Sequence, residues 1–310
     1  MNLSPSTTSY AVLGHPIRHS LSPRMQNAAF AALNMDAVYL AFDVPPERLM
    51  QTLPVMAELG FAGINLTVPL KEIAFRGLAD LDEAARRLGS VNTIKITAGG
   101  LKGFSTDGEG FLRAIREAFD LSVKGISLFL LGCGGAGRAV AFACAAAGAG
   151  RIMLADADGA RLAGLEADLR ALGLKAGILA VGTEPQAWRR ACREAELVVH
   201  ATPMGMHAGE LSVLPPDAFH SGQRVYDLIY MFPETVLMRA AREAGARTSN
   251  GLGMLMHQGA LSFSIWTGRE APVAVMRRVL EEAVYGKMQN AECRMQNAEC
   301  RKYSTTDSIV

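Results

Sequence analysis

The hydrophobic pattern of residues 126–156 predicts one unit of strand, turn, helix and strand. An apolar run at 126–131 leads into the glycine-rich sequence GCGGAG at 132–137, an alanine-rich helical segment follows, and a second apolar run at 151–155 ends on Asp156. In such units the glycines make a tight turn, let a pyrophosphate approach the backbone and let the helix pack closely on the strand. Amide groups at the helix N-terminus then face the phosphates. The residues predicted to hold a dinucleotide here are Gly132, Gly134, Gly135, Ala136, Gly137 and Asp156.

Before this unit, short apolar runs alternate with segments of helical spacing. Predicted strands at 10–14, 38–44 and 61–68 are separated by predicted helices at 22–33 and 46–59. Such alternation is typical of a largely parallel sheet covered by helices, and the ligand site of that sheet lies at the carboxyl ends of its strands. The predicted fold class is therefore α/β.

A hairpin and a connecting helix are predicted next. Residues 90–96 and 102–108 are expected to pair through a turn at Gly99 and Gly100. The helix predicted at 108–119 is expected to carry the chain into a second domain.

We expect two α/β domains with a cleft between them. Residues 1–107 and 251–286 are predicted to form a substrate-binding and catalytic domain, and residues 108–250 a Rossmann-type dinucleotide-binding domain. The heptapeptide MQNAECR occurs twice in succession at 288–301, which is too little sequence for a solenoid. Residues 287–310 are therefore expected to form a disordered tail.

The composition is that of a globular protein and not of a disordered one. The 310 residues are 50% hydrophobic and 20% charged, enough for two domains with cores of their own. With 31 basic and 30 acidic side chains the net charge is +1, so no field attracts nucleic acid or an anionic membrane. No apolar run reaches the roughly 20 residues that span a bilayer, and the start of the chain lacks the pattern of a secretory signal. The five cysteines show no CxxC spacing, which predicts a reducing cytoplasm, no disulfide framework and no metal site.

Polar side chains follow several predicted strands of the first domain. They are Ser20, Ser22, Asn65, Thr67, Lys71, Asn92 and Asp107. A ligand with several hydroxyls and a carboxylate requires such a set, because each buried hydroxyl without a partner costs about 1–3 kcal/mol. Each residue alone also has a structural interpretation; Ser22, for example, is expected to cap the helix that Pro23 begins. Lys71 and Asp107 together could transfer a proton.

Seven motifs resemble those of the shikimate/quinate dehydrogenase family, in the same order, from residue 10 to about residue 284. They are HSLSP (19–23), NLTVPLK (65–71), GSVNT (89–93), STDG (105–108), GCGGA (132–136), YDLIY (226–230) and GLGML (251–255) with Gln258. The resemblance implies an oxidoreductase in which Lys71 and Asp107 are the catalytic pair. A free lysine titrates near ~10.4, so either burial lowers its pKa or Asp107 takes part directly, and both remain open. The resemblance also implies a substrate site lined by Ser20, Ser22, Asn65, Thr67, Asn92, Asp107, Tyr230 and Gln258.

The acids after the second strand of the glycine-rich unit favour NAD over NADP. NADP-using members of the family carry an Asn-Arg-Thr type run there, whereas this chain has Asp156 and Asp158. Two carboxylates repel a 2′-phosphate, and Asp156 can accept hydrogen bonds from a free ribose diol. Arg151 and Arg161 are the evidence against NAD. The other cofactor contacts are expected at Asp158, Arg161, Thr202, Leu228 and Gly251.

The expected substrate is shikimate, with quinate as an alternative. Ser20 and Ser22 resemble the serine pair of shikimate-selective members, whereas use of NAD is more typical of catabolic quinate enzymes. A sensor that binds pathway metabolites without turnover is the alternative from another class, but retention of Lys71 and Asp107 favours an enzyme. No nucleic-acid or membrane partner is expected, and the protein is expected to be a monomer or a homodimer.

Overall fold

A computed structural model describes residues 3–207 and 209–286, and it confirms the predicted α/β fold with two domains, each built on a six-stranded sheet. The predicted tail, 287–310, lies outside the described residues. The strands are β1 (Thr8–Gly14), β2 (Ala37–Asp43), β3 (Phe61–Leu66), β4 (Asp80–Leu81), β5 (Thr93–Thr97), β6 (Gly100–Phe104), β7 (Ser127–Leu131), β8 (Arg151–Ala155), β9 (Gly177–Gly182), β10 (Leu197–His200), β11 (Arg224–Asp227) and β12 (Arg247–Asn250). The α-helices are α1 (Ser22–Ala32), α2 (Leu49–Glu58), α3 (Lys71–Gly77), α4 (Glu83–Leu88), α5 (Asp107–Phe119), α6 (Gly135–Ala146), α7 (Gly159–Ala171), α8 (Pro185–Glu194), α9 (Val236–Glu243), α10 (Leu252–Thr267) and α11 (Val273–Val284).

The first sheet is mixed, with strand order β2-β1-β3-β5-β6-β4. Strands β1, β2 and β3 are parallel to one another, whereas β5 runs antiparallel to both β3 and β6. The predicted hairpin is the reason, because a short turn can join only antiparallel neighbours. Gly100 opens β6 with a positive φ of 108°, a conformation that glycine adopts readily. The parallel part of this sheet is therefore smaller than the alternating pattern suggested.

The second sheet is fully parallel, with strand order β12-β11-β10-β7-β8-β9. Strand β7, which the glycine-rich turn follows, lies between β8 and β10. The connection from β7 runs to one side of the sheet and later strands continue on the other, so the end of β7 is the point where the strand order reverses. Ligands of open α/β sheets bind at such a point.

Helix α10 packs on the first sheet and α11 packs on α1 and α10, although the chain has crossed the second sheet before reaching them. Phe263 and Trp266 of α10 lie in one buried cluster with Tyr10 and Phe30. The indole Nε1 of Trp266 donates to the carbonyl oxygen of Ile94 at 2.9 Å. Each fully buried large apolar side chain contributes about 1.5–3 kcal/mol, so these contacts account for much of the stability of the first domain.

Helix α10 also packs closely against α5, and this contact brings the end of the chain to the functional residues. A Cβ on Gly110 of α5 would lie 2.8 Å from the backbone nitrogen of Gln258, so the glycine is required for the helices to approach.

Within residues 3–207 and 209–286, no helix has the length and apolarity needed to cross a membrane.

Candidate active site

Lys71 and Asp107 form an ion pair at the carboxyl edge of the first sheet. Lys71 is the first residue of α3 and Asp107 the first residue of α5, and each helix begins shortly after a strand ends. The lysine Nζ lies 2.6 Å from Asp107 Oδ2, and the two side chains are 16% and 6% exposed. The pair is thus withdrawn from bulk water, yet the lysine remains accessible to a small molecule.

Asn92 holds Asp107 in a fixed orientation. The Asn92 amide donates to Asp107 Oδ1 at 2.8 Å, while its carbonyl oxygen accepts the backbone N–H of Thr106 at 2.8 Å. One carboxylate oxygen of Asp107 therefore contacts the lysine and the other contacts Asn92. The position of Asp107 in the first turn of α5 also favours its negative charge. Gln258 lies next to this group, because its Oε1 is 3.2 Å from the Asn92 amide nitrogen.

Asn65 belongs to a buried polar layer rather than to an open surface. Its carbonyl oxygen accepts the hydroxyl of Tyr39 at 2.7 Å, and its amide donates to the hydroxyl oxygens of Thr93 and Ser262 at 3.1 and 3.0 Å. Thr93 and Ser262 are themselves 2.7 Å apart. Sequence reasoning missed Tyr39, Thr93 and Ser262, because the partners of their hydroxyl groups lie far away in the sequence. The layer joins α10 to β3, which carries Asn65, and to β5, which begins at Thr93.

The serine pair lies at the start of α1, and Ser22 does not cap that helix as expected. Ser22 is already the first helical residue, the N-cap is Leu21, and no side chain bonds the amides of the first turn. Pro23 follows Ser22, and the proline ring removes one of the amides that a cap would satisfy. The backbone amide of Ser22 instead donates to Ser20 Oγ at 3.3 Å. The Ser22 hydroxyl is therefore not used for capping.

Two more residues implied for the substrate site, Thr67 and Tyr230, follow strands of different sheets. Thr67 is half-buried just after β3, and its Cγ2 would lie 2.5 Å from a Cβ on Gly14, so the two loops after β1 and β3 are in close contact. Tyr230 follows β11 of the second sheet but packs against the buried cluster of the first. Burial raises the pKa of its phenol above the ordinary value, so Tyr230 is a neutral hydrogen-bonding group at neutral pH.

The glycine-rich turn between β7 and α6 has room for a ligand on one side and none on the other. Gly132 has a positive φ of 107°. A Cβ on Gly137 would overlap the carbonyl oxygen of Gly132, so helix and turn are in van der Waals contact. No atom lies within 4 Å of a Cβ placed on Gly134 or Gly135. Ala136 follows in the first turn of α6, where backbone N–H groups have no helical partner. The open side of the turn can therefore accept a phosphate group.

Asp156 and Asp158 bond the backbone of the protein itself. Asp156 accepts the N–H of Cys133 at 2.7 Å and that of Asp158 at 2.8 Å, one on each carboxylate oxygen. Asp158 caps α7 by accepting the N–H groups of Ala160 and Arg161. The Arg161 guanidinium lies 3.8 Å from Asp156 and 3.6 Å from Asp158 and is 53% exposed. Asp156 therefore fixes the glycine-rich turn, and Arg161 is the cation at its outer edge.

Cys133 is expected to resist alkylation by iodoacetamide in the native protein at about pH 8, because the thiolate is the reactive form. Burial, with a further contribution from the negative charge of Asp156, raises the pKa of the Cys133 thiol to about 12. Mass spectrometry of the peptide that carries Cys133, with and without concentrated guanidinium chloride, measures this. Rapid labelling of the native protein would show that the turn opens to solvent.

The three remaining cofactor residues of the sequence prediction lie at the same edge of the second sheet. Thr202 follows β10, and its backbone nitrogen would be 2.9 Å from a Cβ on Gly132. Leu228 follows β11, and its carbonyl oxygen would overlap a Cβ on Gly251, the residue before α10. The structure thus brings the glycine-rich turn, Thr202 and the start of α10 to the carboxyl ends of neighbouring strands.

Two family models match the ends of the chain. Residues 12–94 match the shikimate dehydrogenase substrate binding domain, and residues 251–281 match the shikimate 5′-dehydrogenase C-terminal domain. The first segment contains Lys71 and Asn92, and the second contains Gln258.

Known proteins are similar over nearly the whole chain. The shikimate dehydrogenase (NADP(+)) of Methanopyrus kandleri is 44% identical, with 91% of this chain and 98% of the relative covered. The protein of the same name from Moorella thermoacetica is 48% identical, with 92% and 96% covered. A crystal structure of a shikimate dehydrogenase in complex with NADP+ is 33% identical, with a TM-score of 0.83 and with 91% of this chain and 98% of the other covered.

The expectation that NAD is the cofactor is wrong, because both curated relatives described above are named for NADP and a solved relative holds NADP+. From the sequence, Asp156 is expected to accept hydrogen bonds from a ribose diol, and Asp156 and Asp158 together are expected to repel a 2′-phosphate. In the structure both carboxylates instead accept backbone N–H groups, where they order the glycine-rich turn and cap α7. A carboxylate with such a structural task does not identify the cofactor.

The motifs, the fold and the relatives lead to one conclusion. The ion pair of Lys71 and Asp107 and the glycine-rich turn lie at the carboxyl edges of two sheets, as the architecture of a two-domain dehydrogenase requires. Relatives more than 30% identical cover about nine-tenths of the sequence. The chain belongs to the shikimate dehydrogenase family.

Proposed function

We propose that this protein interconverts shikimate and 3-dehydroshikimate with NADP as the hydride carrier. The observation that carries the proposal is the partly buried ion pair of Lys71 and Asp107 in a chain that also has an open glycine-rich turn. The names of the relatives support both the substrate and the cofactor. Quinate is not favoured, since these relatives are named for shikimate.

The protein's chemical task is to move one proton. Oxidation of a ring alcohol to a ketone releases a hydride from carbon and a proton from oxygen, and the bound nicotinamide supplies the hydride acceptor. In the oxidation direction the Lys71 ammonium would pass a proton to Asp107 Oδ2, and its amine would then take the proton of the ring hydroxyl; in the reverse direction the ammonium would give a proton to the ring oxygen. Asp107, 2.6 Å away, orients the lysine and balances its charge. Asn92 keeps the carboxylate from rotating.

We further propose that the polar residues around this pair bind the rest of the substrate. They are Ser20, Ser22, Thr67, Asn92, Tyr230 and Gln258. Their hydroxyl and amide groups can pair with ring hydroxyls and a carboxylate, and a substrate that leaves one of them unpaired is rejected. Asn65 would support the residues that contact the substrate, since its amide hydrogens are bonded within the buried polar layer.

The domain division is proposed on the same grounds. Residues 1–107 with 251–286 would form the substrate-binding part, and residues 108–250 the dinucleotide-binding part. Tyr230, which leaves the second sheet and packs on the first, would then link the two. Closure of the cleft would exclude water from the transfer step.

Arg161→Ala is expected to raise the KM for NADP about tenfold and to change the KM for NAD by less than about twofold, since only NADP carries the 2′-phosphate. The half-exposed guanidinium lies just beyond β8, and its contacts with Asp156 and Asp158 are longer than hydrogen bonds. Arg170→Ala on the same helix is the control, because it removes the same charge from a side chain bonded to Glu166. Equal losses for both cofactors would exclude Arg161 from recognition of the phosphate.

A matrix of two substrates and two cofactors tests the proposed function. Shikimate and quinate are each incubated with NADP and with NAD, and formation of the reduced nicotinamide is followed by absorbance. The expected result is the highest kcat/KM for shikimate with NADP. Preference for quinate would contradict the substrate, and preference for NAD would contradict the cofactor. Stabilisation by shikimate against heat, without turnover under any condition, would identify a sensor.

A further inference from the structure

His200 occupies the centre of a buried hydrogen-bond chain that the reaction described above does not use. It is the last residue of β10, and Asp227 is the last residue of the neighbouring strand β11. Their side chains are 1% and 0% exposed. The spacing of the histidines in the sequence gives no reason to single out His200, because its partners lie on another strand.

The chain of bonds runs from Asp227 through the imidazole to Thr202. Asp227 Oδ1 is 2.9 Å from His200 Nδ1, and His200 Nε2 is 2.5 Å from the hydroxyl oxygen of Thr202. Asp227 is itself fixed, since its other oxygen accepts the hydroxyl of Thr235 at 2.6 Å and Oδ1 also accepts the backbone N–H of Ile229. Asp227 is therefore the fixed end of this series of hydrogen bonds. Thr202 is the opposite end.

The donor and acceptor roles follow from the chemistry of the groups. A carboxylate only accepts, so in the tautomer with its hydrogen on Nδ1 the imidazole donates to Asp227 and has an acceptor lone pair on Nε2. In that tautomer the Thr202 hydroxyl donates to Nε2. Its oxygen also accepts the backbone N–H of Met204 at 3.2 Å. One further acceptor position remains on that oxygen, which suits an N–H or O–H donor from a ligand.

Thr202 lies where a dinucleotide would pass. A Cβ on Gly132 would be 2.6 Å from the backbone of Ala201 and 2.9 Å from the nitrogen of Thr202, so this segment is in contact with the first glycine of the turn. Met204, which Thr202 holds, is 52% exposed. The segment after β10 thus forms a wall beside the glycine-rich turn.

We propose that His200 is a positioning residue for the cofactor. It transmits the fixed position of Asp227 to the Thr202 hydroxyl, and the oriented hydroxyl accepts a hydrogen bond from an amide or ribose hydroxyl of the bound dinucleotide. The inference deepens the proposed function and rests on it only in assuming a dinucleotide at the glycine-rich turn. His200 does not touch the reacting atoms, and its effect on binding passes through Thr202.

A double-mutant cycle tests this inference on the full-length protein. His200→Asn keeps an amide N–H near the place of Nδ1 for Asp227 but loses the contact with Thr202, and Thr202→Val removes the hydroxyl at nearly constant volume. Each is expected to raise the Kd for NADPH, measured by its fluorescence on binding, about three- to tenfold. The double variant is expected to be no more than about twofold weaker than the worse single variant, because the two residues act as one unit.

Two further measurements separate positioning from a general loss of structure. The Kd for shikimate without cofactor, measured by calorimetry, is expected to stay within about twofold of wild type in every variant. His200→Gln, whose side-chain carbonyl can reach the place of Nε2, is expected to bind NADPH more tightly than His200→Asn even if its Tm is lower. Independent, multiplying effects of the two substitutions would overturn the proposal, as would wild-type NADPH affinity in Thr202→Val.

The test is independent of the substrate assignment. NADH is titrated in parallel with NADPH, and neither titration requires turnover. If wild type binds a reduced dinucleotide but does not oxidise shikimate, the proposed function fails while the cycle at His200 and Thr202 still gives its answer.

Discussion

Lys71→Ala is expected to lower kcat for shikimate oxidation by about 10²- to 10⁴-fold, the range typical for loss of a positioned general acid or base. The KM for shikimate is expected to change far less, because the hydroxyl and amide groups around the pair remain. The lysine Nζ is the group 2.6 Å from Asp107 and only 16% exposed, so water cannot easily replace it at the same position. Steady-state kinetics at saturating cofactor measure both constants.

Lys102→Ala is the matched control for this prediction. Lys102 also forms an ion pair, with Asp80 at 3.6 Å, but both side chains are exposed and lie away from the polar residues of the site. Exposed pairs contribute about 0–1 kcal/mol, so activity and stability are expected to be nearly unchanged. If Lys71→Ala loses affinity for shikimate but keeps its turnover number, the lysine binds the substrate and another group moves the proton.

Gly137→Ala is expected to weaken NADPH binding by about 10- to 100-fold and to lower the Tm. An extra group forced into a well-packed site typically costs about 1–3 kcal/mol. The added methyl group would overlap the carbonyl oxygen of Gly132. That atom belongs to the backbone, so no side chain can rotate to relieve the overlap, and α6 must move away from the turn. Fluorescence titration with NADPH and thermal melting measure the two effects.

Gly164→Ala makes the same chemical change in a helix interior without a clash. No atom lies within 4 Å of a Cβ on Gly164 of α7, and alanine is favoured over glycine there by about 0.5–1 kcal/mol. NADPH affinity is expected to be unchanged and the Tm equal or higher. Normal NADPH binding by Gly137→Ala would show that the contact between helix and turn is not needed to form the phosphate site.

Features that depend on neighbouring residues in the sequence could be predicted. The tight turn at Gly132 and the hairpin through Gly100 are local, and the structure contains both. The fold class followed from alternating hydrophobic patterns and was confirmed. The sequence predicts that β5 and β6 form a hairpin. That this hairpin makes the first sheet mixed follows only from the strand order, which places β5 between β3 and β6.

Features that depend on distant residues could not be predicted. Asp156 looked like a ribose ligand because its position after β8 is typical of one, but its oxygens bond the amides of Cys133 and Asp158. His200 looked unremarkable because its partner Asp227 is 27 residues away on another strand. A sequence pattern gives the chemical type of a side chain, whereas its partners are decided by packing.

The return of α10 to the first sheet has a consequence for synthesis on the ribosome. Translation from residue 107 to residue 251 takes roughly 10–30 seconds at ordinary elongation rates. During this time Tyr10 and Phe30 lack Phe263 and Trp266, which cover them in the finished protein. The glycine-rich unit can fold without residues that are made much later, because β7, α6 and β8 are contiguous in the chain. The segment that carries Tyr10 and Phe30 therefore exposes an aromatic face until residues 263–266 have been made, and it becomes stable only after the glycine-rich unit can fold.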